Sequence, residues 1–325
     1  MVKAGVDKAL AALRAAGEPT RLRILALLRE GERSVKDLTD ILGQSQPRIS
    51  RHLKLLSEAG LVERHPEGTW AFFRLADSGA GSGLNQHLLE ALDFDDPVLA
   101  RDRERLDAVR ASHAALAADY FSRHAAGWDE MRAMQAPEGA VEAAIAEIVP
   151  QRIGRLVDLG TGTGRVLELL APRAAHLTGI DINHDMLHYA RSRLEREGLR
   201  HAQLRQGDVY NPPVEAGTAD VVVLHQVLHF LDDPARAIHE AARLLKKGGL
   251  AVIVDLKAHE REALREAHAH RRLGFTNEQI GGWMREAGIE AGEPREIAGP
   301  DADSLTVTIW TGKALNAARR AGAAA

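Results

Sequence analysis

The chain contains no cysteine, an absence that removes disulfides, thiolate metal sites and cysteine nucleophiles together. It has no long apolar run either. Stretches such as Asp220 to Leu228 fall far short of the roughly 20 residues a membrane helix needs. Met1 opens no secretory signal pattern, so a soluble, cytoplasmic protein with no membrane partner is the expectation. Nor does one sign of charge dominate, the net being −4 over 325 residues. That small total hides an asymmetry. Residues 1–75 carry 13 lysines and arginines against 9 acids, whereas the remainder carries 29 against 37. A basic head and an acidic body suit a protein that touches a polyanion with one end only. The length allows about two domains, each with its own core.

The head reads as a series of short helices. Asp7 to Ala16 is rich in alanine and leucine, and Glu18-Pro-Thr-Arg-Leu-Arg-Ile-Leu starts a second helix with Leu22, Leu25 and Leu28 facing the core. Ser34-Val-Lys-Asp37 has capping-box spacing and opens a third helix that Gly43 ends. Ser45 caps a fourth, in which Ile49, Leu53 and Leu56 recur at i, i+4 and i+7. Arg48, Ser50, Arg51, His52 and Lys54 are left on its flanking and outer faces, donors suited to base edges and phosphates. Leu61 to His65, Pro66-Glu-Gly and Trp70 to Leu75 then read as a hairpin. Ser45, Gln46 and, in the hairpin, Arg64 complete the candidate DNA-contacting set.

Glu18-Pro-Thr-Arg-Leu-Arg-Ile-Leu together with Ser45 to Val62 resembles an ArsR/SmtB-type winged-helix repressor. The resemblance implies a homodimer that binds palindromic double-stranded operator DNA and releases it when an effector binds. Where arsenic sensors of that family carry a cysteine pair, this chain has Ser34-Val-Lys-Asp, so thiophilic metal sensing there is excluded. His113 and His124 sit eleven apart, but the positions that a histidine–carboxylate metal site would fill hold Ala111 and Gly127. No metal is expected.

Asp77-Ser-Gly-Ala-Gly-Ser-Gly83 reads as a flexible end to the wing. From Pro97 onward, Leu99, Leu106, Val109, His113, Leu116 and Tyr120 give one apolar seam on a long helix. The seam serves either a dimer or the chain's own C-terminal domain. The expected organisation is a winged helix over 1–78, a helical connector over 79–136, a cofactor-binding domain over 137–313 and a tail over 314–325.

The body carries the most informative motif. Val157-Asp-Leu-Gly-Thr-Gly-Thr-Gly-Arg165 follows a short apolar run and precedes a helical pattern. Glycines at 160, 162 and 164 permit close backbone approach to a ligand, and the next helix turns its N–H groups toward it. His176 to Asp181 reads as the next strand, ending in a carboxylate 23 residues beyond Asp158, the place from which a ribose is held. Further strands are expected over Ala202–Asp208, Ala219–His225, Leu250–Asp255 and from Leu305, alternating with helices.

These motifs together resemble a class I S-adenosylmethionine-dependent methyltransferase of the UbiE-like small-molecule branch. They are Asp158-Leu-Gly-Thr-Gly-Thr-Gly, Gly179-Ile-Asp-Ile, Gly207-Asp-Val and Leu244-Leu-Lys-Lys-Gly-Gly. A dehydrogenase would show Gly-x-Gly-x-x-Gly instead. The resemblance implies an α/β chain: a winged helix-turn-helix, a helical connector and a Rossmann-like seven-stranded methyltransferase domain. It assigns Asp158, Gly160, Thr161, Gly162 and Gly164 to the turn, Asp181 and Ile182 to the ribose, and Gly207, Asp208 and Val209 to the adenine. His225 stands beside them, and His225 or His229 is the candidate base if an acceptor must lose a proton. Tyr120, His124 and Trp128 recur every four residues and could line an acceptor pocket or simply be core.

Two functions follow. One is a repressor whose body binds S-adenosylmethionine or S-adenosylhomocysteine as effector. The other is an active small-molecule methyltransferase with an autoregulatory winged helix. A head that only dimerises would leave Arg48, Arg51 and His52 idle.

Overall fold

The computed structural model describes residues 5–67, 69–76, 79–128, 138–199, 202–299 and 304–315. It divides into two compact units, Met1–Ala115 and Leu116–Ala325. Of the expected C-terminal tail over 314–325, Ala314 ends a strand and residues 316 onward lie outside the described residues, as do Asp77 and Ser78 of the glycine/serine stretch.

In the first unit, helices α1 (Val6–Ala16), α2 (Pro19–Leu28), α3 (Val35–Leu42) and α4 (Gln46–Glu58) precede a hairpin of β2 (Val62–Glu67) and β3 (Trp70–Leu75). A two-residue strand, β1 (Arg33–Ser34), adds to β3, giving an antiparallel sheet of order β1-β3-β2. Local chemistry sets the boundaries. Ser34 Oγ accepts from Asp37 N while Asp37 Oδ2 accepts from Ser34 N, and Gly43 ends α3 in the left-handed region at φ 63°. Ile24, Leu25, Leu38, Ile41, Ile49, Leu53 and Leu56 are fully buried and form the core, while Leu22 is only half-buried.

The glycine/serine stretch departs from expectation. Gly79–Glu90 is a helix, α5. Of its glycines, Gly81 is there for proximity: a Cβ on it would lie 1.8 Å from the carbonyl oxygen of Gly60, and Asn85 Nδ2 donates to Leu61 O at 2.7 Å. Residues small enough to look like a linker allow a helix to lie directly on the turn after α4.

The long helix α6 spans Pro97–His124. Its first half uses the apolar seam within its own unit. Leu106 is buried in the head's core with Leu99 and Val109 packed against it. Asp102 receives two bonds from Arg23 at 2.6 Å, and Arg105 Nη1 donates to Ile41 O. A seam offered to a dimer partner or to the C-terminal domain was expected here; the head buries Leu106, Leu116 stays exposed, and Tyr120 is buried in the second unit beside His268.

The second unit is built on one sheet of order β10-β11-β8-β7-β4-β5-β6, with β9 also pairing β11. The strands are β4 (Ile153–Leu159), β5 (Ala174–Asp181), β6 (Gln203–Gln206), β7 (Ala219–His225), β8 (Leu245–Leu256), β9 (Ile289–Ala291), β10 (Arg295–Ile297) and β11 (Val307–Ala314). β6, β5, β4, β7 and β8 are parallel, and β11 is antiparallel to β8. One edge position is shared by two short strands, β9 and β10, so seven positions hold eight strands. Helices α7 (Glu138–Ile148), α8 (Arg165–Leu170), α9 (His184–Arg196), α10 (Pro234–Leu244), α11 (Ala263–Ala267) and α12 (Asn277–Glu286) follow or precede the strands.

Both faces of this sheet are covered. Val157, Leu159, Val222 and Leu224 enter one core with Ile238, Trp283 and Met284. Leu156, Val221, Val223 and Val252 enter the other with Ile145 and Leu167. A central parallel strand buried on both faces reads as an unbroken apolar run, which is what residues 221–224 show.

Gly81→Ala should lower the stability of the first unit by about 1–3 kcal/mol, the usual penalty for overpacking. Gly5→Ala, where a Cβ meets nothing within 4 Å, should be close to neutral. Urea denaturation of the two variants checks this; equal midpoints would remove the packing role assigned to Gly81.

Candidate functional site

The turn after β4 is wired to the end of β5. Gly160 N and Thr161 N both donate to Ile180 O, at 2.8 and 2.9 Å. Thr161 Oγ1 donates to Asp158 Oδ2 at 2.7 Å, so the buried aspartate fixes the turn from beneath. Gly162 N donates to Asp181 Oδ2 and Asn183 N to Asp181 Oδ1, each at 2.8 Å. Each oxygen of Asp181 keeps acceptor capacity beyond its backbone bond. Burial pushes the Asp181 carboxyl up, although the N–H groups of Asn183, Gly162 and Ile182 pull the other way.

The three glycines do not share one reason. All have positive φ: 75° at Gly160, 52° at Gly162 and 80° at Gly164. A Cβ at Gly160 would lie 2.5 Å from Val227 Cγ2, and one at Gly164 would lie 3.1 Å from Ala190 Cβ. Those two are packing glycines. At Gly162 nothing lies within 4 Å, so it is the one whose missing side chain leaves open space at the turn.

The other predicted residues of this edge fall beside it. Gly207 N donates to Asp181 O at 3.0 Å, and a Cβ there would lie 2.7 Å from Pro213 Cδ. Asp208 is exposed, its Oδ1 accepting from Tyr210 N, while Val209 is buried. Ile182 is exposed. His225 ends β7 and is buried.

His229 lies in the short turn after β7. Its Nδ1 lies 2.7 Å from Asp255 Oδ1, both side chains being buried. Asp255, at the end of β8, also accepts from Leu228 N at 2.9 Å and from Leu256 N at 2.7 Å. A carboxylate accepting from Nδ1–H fixes the tautomer and leaves Nε2 as the reactive nitrogen. Tyr120, His124 and Trp128 also converge. The Tyr120 hydroxyl is 2.7 Å from His268 Nδ1, and burial pushes its pKa up to about 12. The Tyr120 and His124 rings are 4.3 Å apart, and Trp128 lies 6.0 Å from Phe230. Asn183 Nδ2, donating to Ala118 O and Ser122 Oγ, ties the end of α6 to the N-cap of α9.

In the first unit, Ile49, Leu53 and Leu56 bury one face of α4 completely, while Gln46, Arg48, Ser50, Arg51 and Lys54 stay exposed on it. Arg64 is exposed on β2. Ser45 occupies the N-cap, but its side chain makes no capping bond. His52 stands apart from the exposed row. Its Nδ1 lies 3.5 Å from Glu18 Oε2, and burial, with Arg21, Arg48 and Arg51 nearby, pushes its pKa down against the pull of Glu18. His113 Nε2 lies 3.7 Å from Asp37 Oδ1. Among the described residues no group of three or more histidines and acids is arranged to hold a metal ion, and no helix is long and apolar enough to cross a membrane.

Comparison with known proteins agrees with both halves. Residues 18–64 match the bacterial regulatory protein, arsR family, and residues 157–253 match the methyltransferase domain family. An HTH-type transcriptional regulator of Methanocaldococcus jannaschii is 46% identical over 72 residues, 22% of this chain and 81% of that protein. The phosphatidylethanolamine N-methyltransferase of Cereibacter sphaeroides is 36% identical over 143 residues, 44% of this chain and 68% of that protein. The chain belongs to both families. Over 60% of this chain the fold is that of the protein in complex with the Haloferax volcanii Trm112 methyltransferase activator, 97% of which is covered, at 22% identity and TM-score 0.52. A SAM-dependent methyltransferase of Thermotoga maritima is alike at 22% identity, TM-score 0.50, 60% of this chain and 98% of that one.

Within the methyltransferase domain, sequence reasoning gave no role to Asp255, His259, His268 or His270. The His-x-His spacing at 268–270 was a visible signal; the pairing of Asp255 with His229 was not, because it depends on the register that sets His225 beside Val254. Burial holds the His259 imidazole down to about 4 from its ordinary 6.5, with His229, Arg261 and Arg265 adding to the effect and Asp255 opposing it. The unfolded chain therefore takes up this proton near its ordinary value, while the folded one resists until lower pH. The stabilising contribution is present above 6.5 and is lost as pH falls toward 4. His259→Gln should flatten the acid side of the stability curve across that window in urea titrations; curves parallel to wild type would refute the assignment.

Proposed function

We propose that this chain is a DNA-binding transcriptional regulator, a repressor acting as a homodimer on double-stranded operator DNA. Its methyltransferase domain binds S-adenosylmethionine or S-adenosylhomocysteine as the effector. One observation carries the reading. The same polypeptide holds a helix pinned by three buried residues with a donor row outward, and a glycine turn wired to a ribose-type aspartate. Pro47 in the first turn of α4 and the uncommitted Ser45 hydroxyl leave the positive end of that helix open to a phosphate. Exposed Val6, Leu10 and Leu13 on α1 supply an apolar face for the second copy.

The cofactor fits the residues that would hold it. The open side of Gly162 takes the methionine end, Asp181 accepts from the ribose hydroxyls, and Asp208 with Val209 frames the adenine. When bound, S-adenosylmethionine supplies a methyl group on a sulfonium.

A second reading, an active small-molecule methyltransferase, is favoured by the His229–Asp255 pair. Asp255 orients the ring through Nδ1, so Nε2 of His229 would take the acceptor's proton as the methyl–acceptor bond forms and the carbon–sulfur bond breaks. The loop carrying His229 reaches the glycine turn through Val227, the residue pressed against Gly160.

Calorimetry with S-adenosylhomocysteine and anisotropy with the gene's own upstream fragment test the assignment. Asp181→Ala should weaken ligand binding at least tenfold. Arg51→Ala should weaken DNA binding by roughly 5- to 100-fold and leave ligand affinity alone. Unchanged affinities in the matching assays would overturn the respective site.

A further inference from the structure

Helix α6 runs through the boundary between the two units, which falls after Ala115. Its first half is fastened to the head. Asp102 takes both bonds from Arg23 of α2, Arg105 Nη1 donates to Ile41 O of α3 at 3.1 Å, and Arg110 Nη2 donates to Glu30 O at 2.9 Å. The helices so gripped are the ones that carry α4: Ile24 and Leu25 of α2 and Leu38 and Ile41 of α3 share one core with Ile49 and Leu53.

The last turns of α6 are held by a single side chain of the other unit. Asn183 Nδ2 donates to Ala118 O at 3.0 Å and to Ser122 Oγ at 3.1 Å. Everything else on Asn183 belongs to the ribose edge. Its N donates to Asp181 Oδ1 at 2.8 Å, and its Oδ1 caps α9 by accepting from Asp185 N and Met186 N, at 2.9 and 3.0 Å. A cap needs only an oxygen, which serine or aspartate supplies as well. The amide nitrogen is surplus to that duty, and both of its protons go to α6.

Between these two anchorages α6 is supported by little but its own backbone. From Ala114 to Asp119 no side chain is buried, and Leu116 is 65% exposed. Four of these six residues are alanine, which favours helix without any packing. So short a helical stretch is marginal unless its ends are fixed, and Asn183 fixes one of them.

The ribose-type carboxylate supplies the link to a ligand. Gly162 N and Asn183 N hold one oxygen each of Asp181 in place for hydroxyl donors, and burial makes that carboxylate costly until such donors arrive. A ligand bringing two hydroxyls binds this arrangement of the turn and raises its population.

We propose that Asn183 is the positioning residue that couples the ribose edge to α6. Ligand on Asp181 firms the turn over 181–183, the Asn183 amide then holds Ala118 and Ser122, and α6 stays helical up to its anchorage on α2 and α3. The consequence at the operator rests on the effector reading, whereas the hold on α6 requires only that the ligand binds.

Hydrogen–deuterium exchange on the full chain, with and without S-adenosylhomocysteine, tests this. In the wild type the ligand should slow exchange of the amides over 114–124 by roughly tenfold. Asn183→Ser keeps an oxygen for the cap of α9 but is too short to reach α6; Ser122→Ala removes one acceptor without touching the ribose edge. Both variants should bind S-adenosylhomocysteine within about threefold of wild type by calorimetry. In both, the added protection over 114–124 should be largely lost, and the ratio of operator affinities with and without ligand should move toward one. A wild-type chain that exchanges 114–124 equally fast with ligand bound, or protection that survives in both variants, would overturn the proposal. Failure of the wild type to bind S-adenosylhomocysteine removes the cofactor assignment and this coupling with it. The effector reading fails separately, as an operator affinity that ignores a bound ligand, and the exchange result still decides the role of Asn183.

Discussion

The architecture of the body depends on the close approach that Gly160 permits. Its N–H reaches the carbonyl of Ile180, its φ of 75° turns the chain away from β4, and the space a side chain would need is filled by Val227. One residue without a Cβ therefore brings the ends of three parallel strands to a common edge. From β5 comes Asp181, near enough to accept from Gly162 N. From β7 comes the segment bearing His229. A larger residue at 160 would push these apart, separating the ribose-type carboxylate from the buried histidine pair. Ligands of open parallel sheets bind at such an edge because helix N-termini and short loops leave donors facing outward there.

The head solves a different problem, presenting charge without losing stability. Helix α4 spends one face on the core through Ile49, Leu53 and Leu56, which leaves Arg48, Ser50 and Arg51 exposed, with Lys54 3.8 Å from Glu58 on the same helix. His52 shows the limit of that separation, because it is drawn in beside Glu18, the residue that caps α2. The glycine-bearing helix α5 behaves similarly: Gly81 is small so that backbone can meet backbone at Gly60.

Much of this was legible in the residues. The turn from Asp158 to Gly164 and the carboxylate 23 residues on were legible as neighbours at one strand-end edge, and they meet there through the Gly162 N to Asp181 Oδ2 bond. The face of α4 was legible because a helix repeats every 3.6 residues. What escaped depends on tertiary packing. A run of glycine and serine between 79 and 83 carries the local signature of a loop, and only its packing against Gly60 makes it helical. The seam of α6 announced burial but not which surface would cover it. Asp255 and the histidines at 259, 268 and 270 come from separate segments, and no spacing rule connects them to His229.

The central claim is that one chain couples a nucleotide-type pocket to an operator-reading helix. Its most direct test is fluorescence anisotropy of the gene's upstream DNA titrated with the full chain alone, with S-adenosylmethionine and with S-adenosylhomocysteine. A shift in operator affinity of about 5- to 150-fold between ligand states, the usual range of allosteric coupling, is the predicted result. Tight operator binding that is the same in all three states would contradict it.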